Sequence, residues 1–171
     1  MPRENINGVG EFGTLFRTES GYCSAIFNDK GVLIRLFLPA SKERAGNFIG
    51  NKTRKRYPEL ENKIQAYFRG EKVDFKSFKL PLDEFPLFKR DVYKALLKVK
   101  RGEVLTYGEL ADKAGYPGAA RAVGSAMAKN PIPLIIPCHR VVRSDGKLGN
   151  FTADGGSAFK RKMQELERKA P

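Results

Sequence analysis

Polar and apolar residues alternate with a period of two in three short stretches of the first half, Phe12–Arg17, Tyr22–Asn28 and Val32–Leu38. That period turns one side of a strand toward a core and the other toward water. The second and third stretches are separated by Asn28-Asp29-Lys30-Gly31, a turn sequence, so they read as a hairpin. From Ser41 the pattern becomes helical, with a basic patch at Lys52–Arg56. Pro58–Phe68 follows as a helix with Leu60, Ile64 and Phe68 on one face, ended by Gly70. Glu71–Pro86 is mixed, carries Pro81 and Pro86, and reads as a connector.

Helical spacing returns with Phe88, Val92, Leu96 and Val99 in one stripe that stops before Gly102. A further helix is predicted over Tyr107–Ala114, with Thr106 as N-cap, Glu109 completing a capping box, and Gly115 at its end. After Tyr116-Pro117-Gly118 another runs over Ala119–Lys129, and a last one over Ser157–Arg168. Two short helices joined by a tight Gly/Pro turn form a helix-turn-helix pattern. The fold class is therefore α/β of the α+β kind. A small N-terminal domain (1–80) has an antiparallel sheet and helices, and a mostly helical domain (81–171) carries the helix-turn-helix. The 119–129 helix is built almost entirely from small residues, with Arg121 the one large polar group in its first two turns. That face suits a narrow minor groove and sequence-tolerant binding better than base reading in a major groove.

Composition sharpens this. Apolar residues make up 41% and aromatics 11%, enough for a packed core. No apolar run reaches membrane-spanning length, and Met1–Asn5 lacks the hydrophobic centre of a signal peptide, so a soluble, cytoplasmic (or nuclear) monomer is expected. The net charge is +13, a field that favours polyanions. Residues 1–85 hold 15 Lys and Arg against 11 Asp and Glu, whereas residues 86–171 hold 17 against 8. The basic excess lies with the helix-turn-helix. The two cysteines, Cys23 and Cys138, could form a disulfide, but free thiols are expected in such a chain. With a single histidine, His139, an ordinary four-ligand zinc site is not expected.

That histidine adjoins Cys138 in Ile132-Pro133-Leu134-Ile135-Ile136-Pro137-Cys138-His139-Arg140-Val141-Val142, a segment stiffened by proline. A lone cysteine is more often a small buried hydrophobe, and Cys23 is read so. For Cys138 the surroundings argue otherwise. Thr-Tyr-Gly at 106–108, Ala-Ala-Arg-Ala-Val-Gly at 119–124, Asn-Pro at 130–131 and Pro-Cys-His-Arg-Val at 137–141 stand in one order and spacing. In these motifs residues 86 to about 167 resemble the O6-alkylguanine-DNA alkyltransferases. Residues 1–85 match only the layout of that family's N-terminal α/β, ribonuclease-H-like domain.

The resemblance implies single-turnover transfer of an alkyl group from O6-alkylguanine, and from O4-alkylthymine, to Cys138. It implies no cofactor and no metal, and double-stranded DNA bound through its minor groove with the lesion flipped out. Neighbouring side chains in an extended segment point apart, so a water would link Cys138 to His139, with Glu167 holding the imidazole. Glu165 is the rival carboxylate, and counting from Gly155-Gly156 favours Glu167. Tyr107 would donate to N3 of the leaving guanine, Arg121 would fill the space of the flipped nucleotide, and Asn130 would tie the recognition helix to the cysteine segment. Thr106, Ala119 and Ala120 would face DNA. The carbonyls of Cys138 and Val141 would accept from the exocyclic amine, while Met127, Pro133 and Phe151 would wall the pocket and Lys160 would fix the glycine-rich loop. That loop departs from the family's aromatic-Ser-Gly-Gly: here it runs Phe151-Thr152-Ala153-Asp154-Gly155-Gly156. Thr152 or Ala153 would supply the backbone donor to O6. Rival readings are a damage sensor that flips the base without accepting the group, a Cys-His-Glu acyl hydrolase, and a sequence-specific regulator.

Overall fold

The computed structural model describes residues 10–169; residues 1–9 and 170–171, and with them the Met1–Asn5 stretch, lie outside that range. Three strands open the fold: β1 (Phe12–Thr18), β2 (Gly21–Phe27) and β3 (Leu33–Ala40). They pair antiparallel in sequence order, β1 with β2 from Phe12↔Phe27 to Thr18↔Gly21, and β2 with β3 through two register shifts. The Asn28–Gly31 turn is closed by the Asn28 side chain, whose Oδ1 accepts from the amides of Lys30 and Val32.

The Ser41 hydroxyl accepts from the Arg44 amide and starts α1 (Lys42–Ile49). The helix stops at Gly50, at φ 61°. The basic patch that follows is not helical: Thr53–Arg54 form β4, which lies parallel to β1 and completes the sheet order β3-β2-β1-β4. Helix α1 crosses β1 so closely that a Cβ on Gly13 would sit 2.1 Å from Ile49 Cγ2, so only glycine fits there. Helix α2 (Pro58–Phe68) buries Leu60, Ile64, Tyr67 and Phe68, and the chain turns at Gly70 with φ 87°.

A 3-10 turn, Leu82–Glu84, leads into α3 (Leu87–Leu96). Val92 and Leu96 are buried on its inner face, Phe88 is half-buried, and Val99 falls in the turn beyond the helix. Strand β5 (Leu105–Thr106) pairs in parallel with β6 (Val141–Val142), far along the chain. Helix α4 (Tyr107–Lys113) begins on a complete capping box: Thr106 Oγ1 accepts from the Glu109 amide at 3.1 Å, and the Thr106 amide donates to Glu109 Oε2 at 2.6 Å. Gly115 and Gly118, at φ 86° and 81°, turn the chain into α5 (Ala120–Ala128). Helix α6 (Gly156–Lys169) closes the described chain.

The sheet and the helices share buried surface. The free edge of β3 is covered from both halves, its Leu33 amide donating to Lys79 O in the first and its Leu36 amide to Pro131 O in the second. One buried cluster runs from Leu33, Leu36, Ile64 and Tyr67 into Tyr93, Leu110, Val123, Ile132, Ile136 and Met163. The Tyr93 hydroxyl donates to Ala126 O at 2.9 Å and fixes α5 to α3. Among the described residues no helix is long and apolar enough to cross a membrane.

Candidate active site

Past α5 the chain makes an irregular loop through Pro131–Pro137, with Leu134 at φ 76°, a conformation uncommon for a non-glycine residue. Asn130 holds this loop closed. Its Oδ1 accepts from the Ile132 amide at 3.0 Å and its Nδ2 donates to Ile136 O at 2.8 Å. Cys138 then opens a 3-10 turn, Cys138–Arg140, that leads directly into β6. Short-range bonds from both flanks therefore fix the cysteine backbone.

Cys138 is 5% exposed, and both cysteines are free and buried. Burial pushes the Cys138 thiol up from its ordinary value. The Asn130 side-chain amide, the charge of Lys160 and the amides of Cys138 and His139 work in the opposite direction without overcoming it. The resting sulfur is therefore a thiol, and its nucleophilic form needs a base.

The candidate base is adjacent. His139 is fully buried and its Nε2 lies 2.7 Å from Glu167 Oε1. Glu167 is 3% exposed, whereas Glu165 is exposed on the outer face of α6. Five hydrogen bonds from four residues converge on the Glu167 carboxylate. Oε1 accepts from His139, from the Tyr67 hydroxyl at 3.1 Å and from Arg140 Nη2 at 2.9 Å. Oε2 accepts from Arg140 Nε at 2.9 Å and from the Gly102 amide at 3.1 Å. Burial opposes ionisation here, but the hydrogen bonds from His139 and Arg140 outweigh it and hold the carboxyl well below the usual carboxylate range. Burial likewise lowers His139 below 6.5, against the pull of Glu167, so the imidazole is neutral at neutral pH. A neutral ring facing a carboxylate through Nε2 carries its proton there, which leaves a lone pair on Nδ1. Nδ1 is buried and has no hydrogen-bond partner among the described residues.

Cys138 lines two neighbouring cavities that share Met127, Phe151 and Thr152. The first, about 310 Å³, is walled by Pro133 and Ala153 and, from the first half, by Phe37 and Phe48. The second, about 410 Å³, is walled by Tyr107, Arg121 and Lys160. Tyr107 is half-buried at the start of α4, and burial followed by the nearby Cys138 raises its hydroxyl above 10. Lys160 donates to Leu148 O at 2.6 Å and lies over the rings of Tyr107 and Phe151, 5.8 and 6.0 Å from their centroids. Burial brings it down to about 8. Asp154, in the 151–156 loop, is paired at 2.5 Å with Arg44 of α1, so the loop is tied to the helix that follows β3.

Of the residues singled out by sequence, Cys138, Asn130, Met127, Pro133, Phe151, Thr152 and Ala153 gather at the first cavity, and Tyr107, Arg121 and Lys160 at the second. His139 and Glu167 line neither and sit behind the thiol. Thr106 caps α4, Ala119 and Ala120 open α5, and Val141 is buried in β6 directly after the Cys138–Arg140 turn; none of the four is among the residues that wall the two cavities. Sequence reasoning missed Tyr67, Gly102, the Arg140 fork and the contribution of Phe37, Phe48 and Arg44. Arg140 was visible within the Pro-Cys-His-Arg-Val motif; Tyr67 was not distinguishable from the apolar face of α2.

A family model described as "6-O-methylguanine DNA methyltransferase, DNA binding domain" matches residues 87–169. A methylated-DNA–protein-cysteine methyltransferase of Methanosarcina barkeri is 41% identical over 143 residues, covering 82% of this chain and 86% of that protein. The Mus musculus protein of the same name is 48% identical over 103 residues, 57% of this chain and 48% of its own length; that of Mycobacterium bovis, at 47%, is covered over 62% of its length. The chain thus spans about half to two thirds of these two relatives. Among solved structures, Mycobacterium tuberculosis OGT in complex with DNA superposes with a TM-score of 0.78 at 36% identity, over 94% of this chain and 95% of that one.

Proposed function

The chain belongs to the methylated-DNA–protein-cysteine methyltransferase family, and from that membership we propose that it repairs DNA by taking the alkyl group from O6 of a modified guanine onto Cys138. The observation that carries the proposal is the buried thiol on the wall of two cavities, backed by a neutral imidazole whose other nitrogen is held by an ionised glutamate.

The chemistry balances without a cofactor. The thiol proton passes through a bridging water to Nδ1 of His139, and Glu167 stabilises the imidazolium across Nε2. The thiolate attacks the alkyl carbon in line, a C–S bond forms as the C–O6 bond breaks, and the electron pair leaves with guanine. Tyr107 donates to N3 and reduces the charge on the departing base. The product is a thioether, which water does not cleave, so each molecule acts once. The carbonyls of Cys138 and Val141 identify the guanine amine, and Thr152 or Ala153 donates to O6. The same pocket takes O4-alkylthymine, whose oxygen presents the alkyl group in the same way.

An oxygen inside the duplex is out of reach of a buried thiol, so the base is flipped. Helix α5 enters the minor groove with Ala119 and Ala120 against the backbone and Arg121 in the vacated space. Thr106 fixes the start of α4 beside it, completing a helix-turn-helix on a domain that begins near residue 81. The protein acts as a monomer where DNA is, in the cytoplasm or a nucleus.

The direct test mixes the protein with a duplex carrying one O6-methylguanine labelled in its methyl group. Intact mass and peptide mapping should place one methyl per molecule on Cys138, and none on Cys138→Ala. Tight binding with no transferred label would make the protein a damage sensor, and release of many methyl groups per molecule would contradict the single-use thioether.

A further inference from the structure

Tyr67 stands on α2, in the part of the chain that the matching family model leaves out, yet its hydroxyl lies inside the network behind the thiol. It donates to Glu167 Oε1 at 3.1 Å and sits 3.5 Å from His139 Nε2. Its ring stands edge-on to the imidazole, centroids 6.4 Å apart at 70°. The guanidinium of Arg101 lies over the same ring at 5.4 Å and bonds the carbonyls of Gly70 and Leu166, which ties the end of α2 to α6. The side chain is 1% exposed, so packing leaves the hydroxyl little freedom to turn away.

We propose that Tyr67 is a positioning residue of the proton relay: its hydroxyl shares Glu167 Oε1 with His139 and thereby sets how strongly the carboxylate stabilises the imidazolium. This rests on the reading of Cys138 as alkyl acceptor and His139 as its base. A carboxylate oxygen that already accepts from Tyr67 and Arg140 has less charge to offer a third donor. The groups facing His139 from every side are Glu167 and Lys160 of α6, Arg140 and Cys138 of its own turn, and Tyr67 of α2. Burial most of all, and then Arg140 and Lys160, disfavour a charged ring, while Glu167 favours it; the tyrosine's role is to moderate Glu167. The result is a base that stays unprotonated, and so able to accept at Nδ1, at neutral pH. Burial, then the charge of Glu167, hold the Tyr67 proton in place far above the working range, so it is a donor throughout.

Tyr67→Phe keeps the ring, its contact with Arg101 and its place in the core, and removes one O–H donor. The imidazolium should then be better stabilised and His139 should protonate at higher pH. His139 is the only histidine of the chain, so an NMR titration of its ring is unambiguous. The imidazole midpoint is expected to rise by roughly half to one unit. The acid limb of the methyl-transfer rate should move with it, so that wild type outruns the variant by about three- to tenfold at the foot of the limb. Affinity for the lesion duplex should not change. An unaltered imidazole midpoint, or a rate lowered equally at every pH, overturns the proposal, and a lower melting temperature alone would reduce Tyr67 to a packing role. If wild type transfers nothing, the proposed function fails, and the ring titration still decides what the tyrosine does.

Discussion

At the scale of single residues, the site places a neutral histidine and an ionised glutamate in the same buried space. Both keep protons off to lower pH than they would in an unfolded chain, His139 below 6.5 and Glu167 below 4.5. The sign follows: as pH falls through each of these ordinary values the unfolded state takes up protons that the folded state refuses. Stability present at pH 7.5 should therefore decline below about 6.5 and again below about 4.5. Calorimetry from pH 8 to 4 checks this, and a melting temperature that stays flat between about 7 and 5 would contradict the buried neutral imidazole. A second prediction concerns Gly149, at φ 74°, where a Cβ would lie 2.9 Å from the Tyr107 hydroxyl. Gly149→Ala should displace that hydroxyl and slow methyl transfer by roughly 10- to 100-fold, the usual consequence of misplacing a reacting group by about an ångström. Unchanged single-turnover kinetics would remove Tyr107 from the reacting centre. Cys23, fully buried in β2 and pushed far up by burial, offers no comparable nucleophile.

At the scale of elements, α4 is short, and much of its definition comes from the Thr106–Glu109 capping box. Thr106→Ala should cost about 1 kcal/mol, or roughly 2–4 °C in melting temperature for a chain of this size. The same change should weaken binding to a duplex, because the start of α4 carries Tyr107. Thr106→Ser should retain both. The loop before α6 makes a contrasting case. Its clasp between Asp154 and Arg44 has side-chain exposures of 31% and 63%, so water screens it. Asp154→Asn should leave the melting temperature within experimental error of wild type, even though the pair orients a wall of the cavity.

At the scale of the whole molecule, the first half supplies more than a platform. Its edge strand is bonded to Pro131, its Tyr67 reaches Glu167, and one buried cluster crosses from sheet to helices. Even if residues 1–80 and 81–171 are separate units of architecture, they should unfold together. Denaturant melts followed by circular dichroism and by tyrosine fluorescence are expected to coincide, and two separated transitions would deny the shared core. The charge of +13 acts at the same scale. Affinity for undamaged duplex should fall steeply and log-linearly with salt, by tenfold or more between about 50 and about 200 mM.

Much of this was local and therefore legible in the sequence. The hairpin, the capping box, Pro58–Phe68, the glycine stops and the stiff segment before Cys138 depend on residues a few positions apart. A motif such as Pro-Cys-His-Arg-Val fixes its own backbone in the same way, which is why the family could be recognised from it. Tertiary structure alone decided what pairs across distance. Strand β4 from a basic patch, the β5–β6 pairing and Tyr67 as a donor all need partners from about 35 to 100 positions away, whereas Glu167, favoured over Glu165 by counting from Gly155-Gly156, does stand at the histidine. The physical reason is that periodicity reports which face of an element is buried, not which buried neighbour it meets. The apolar face of α2 looks the same whether a tyrosine hydroxyl ends in solvent or on the carboxylate that holds His139.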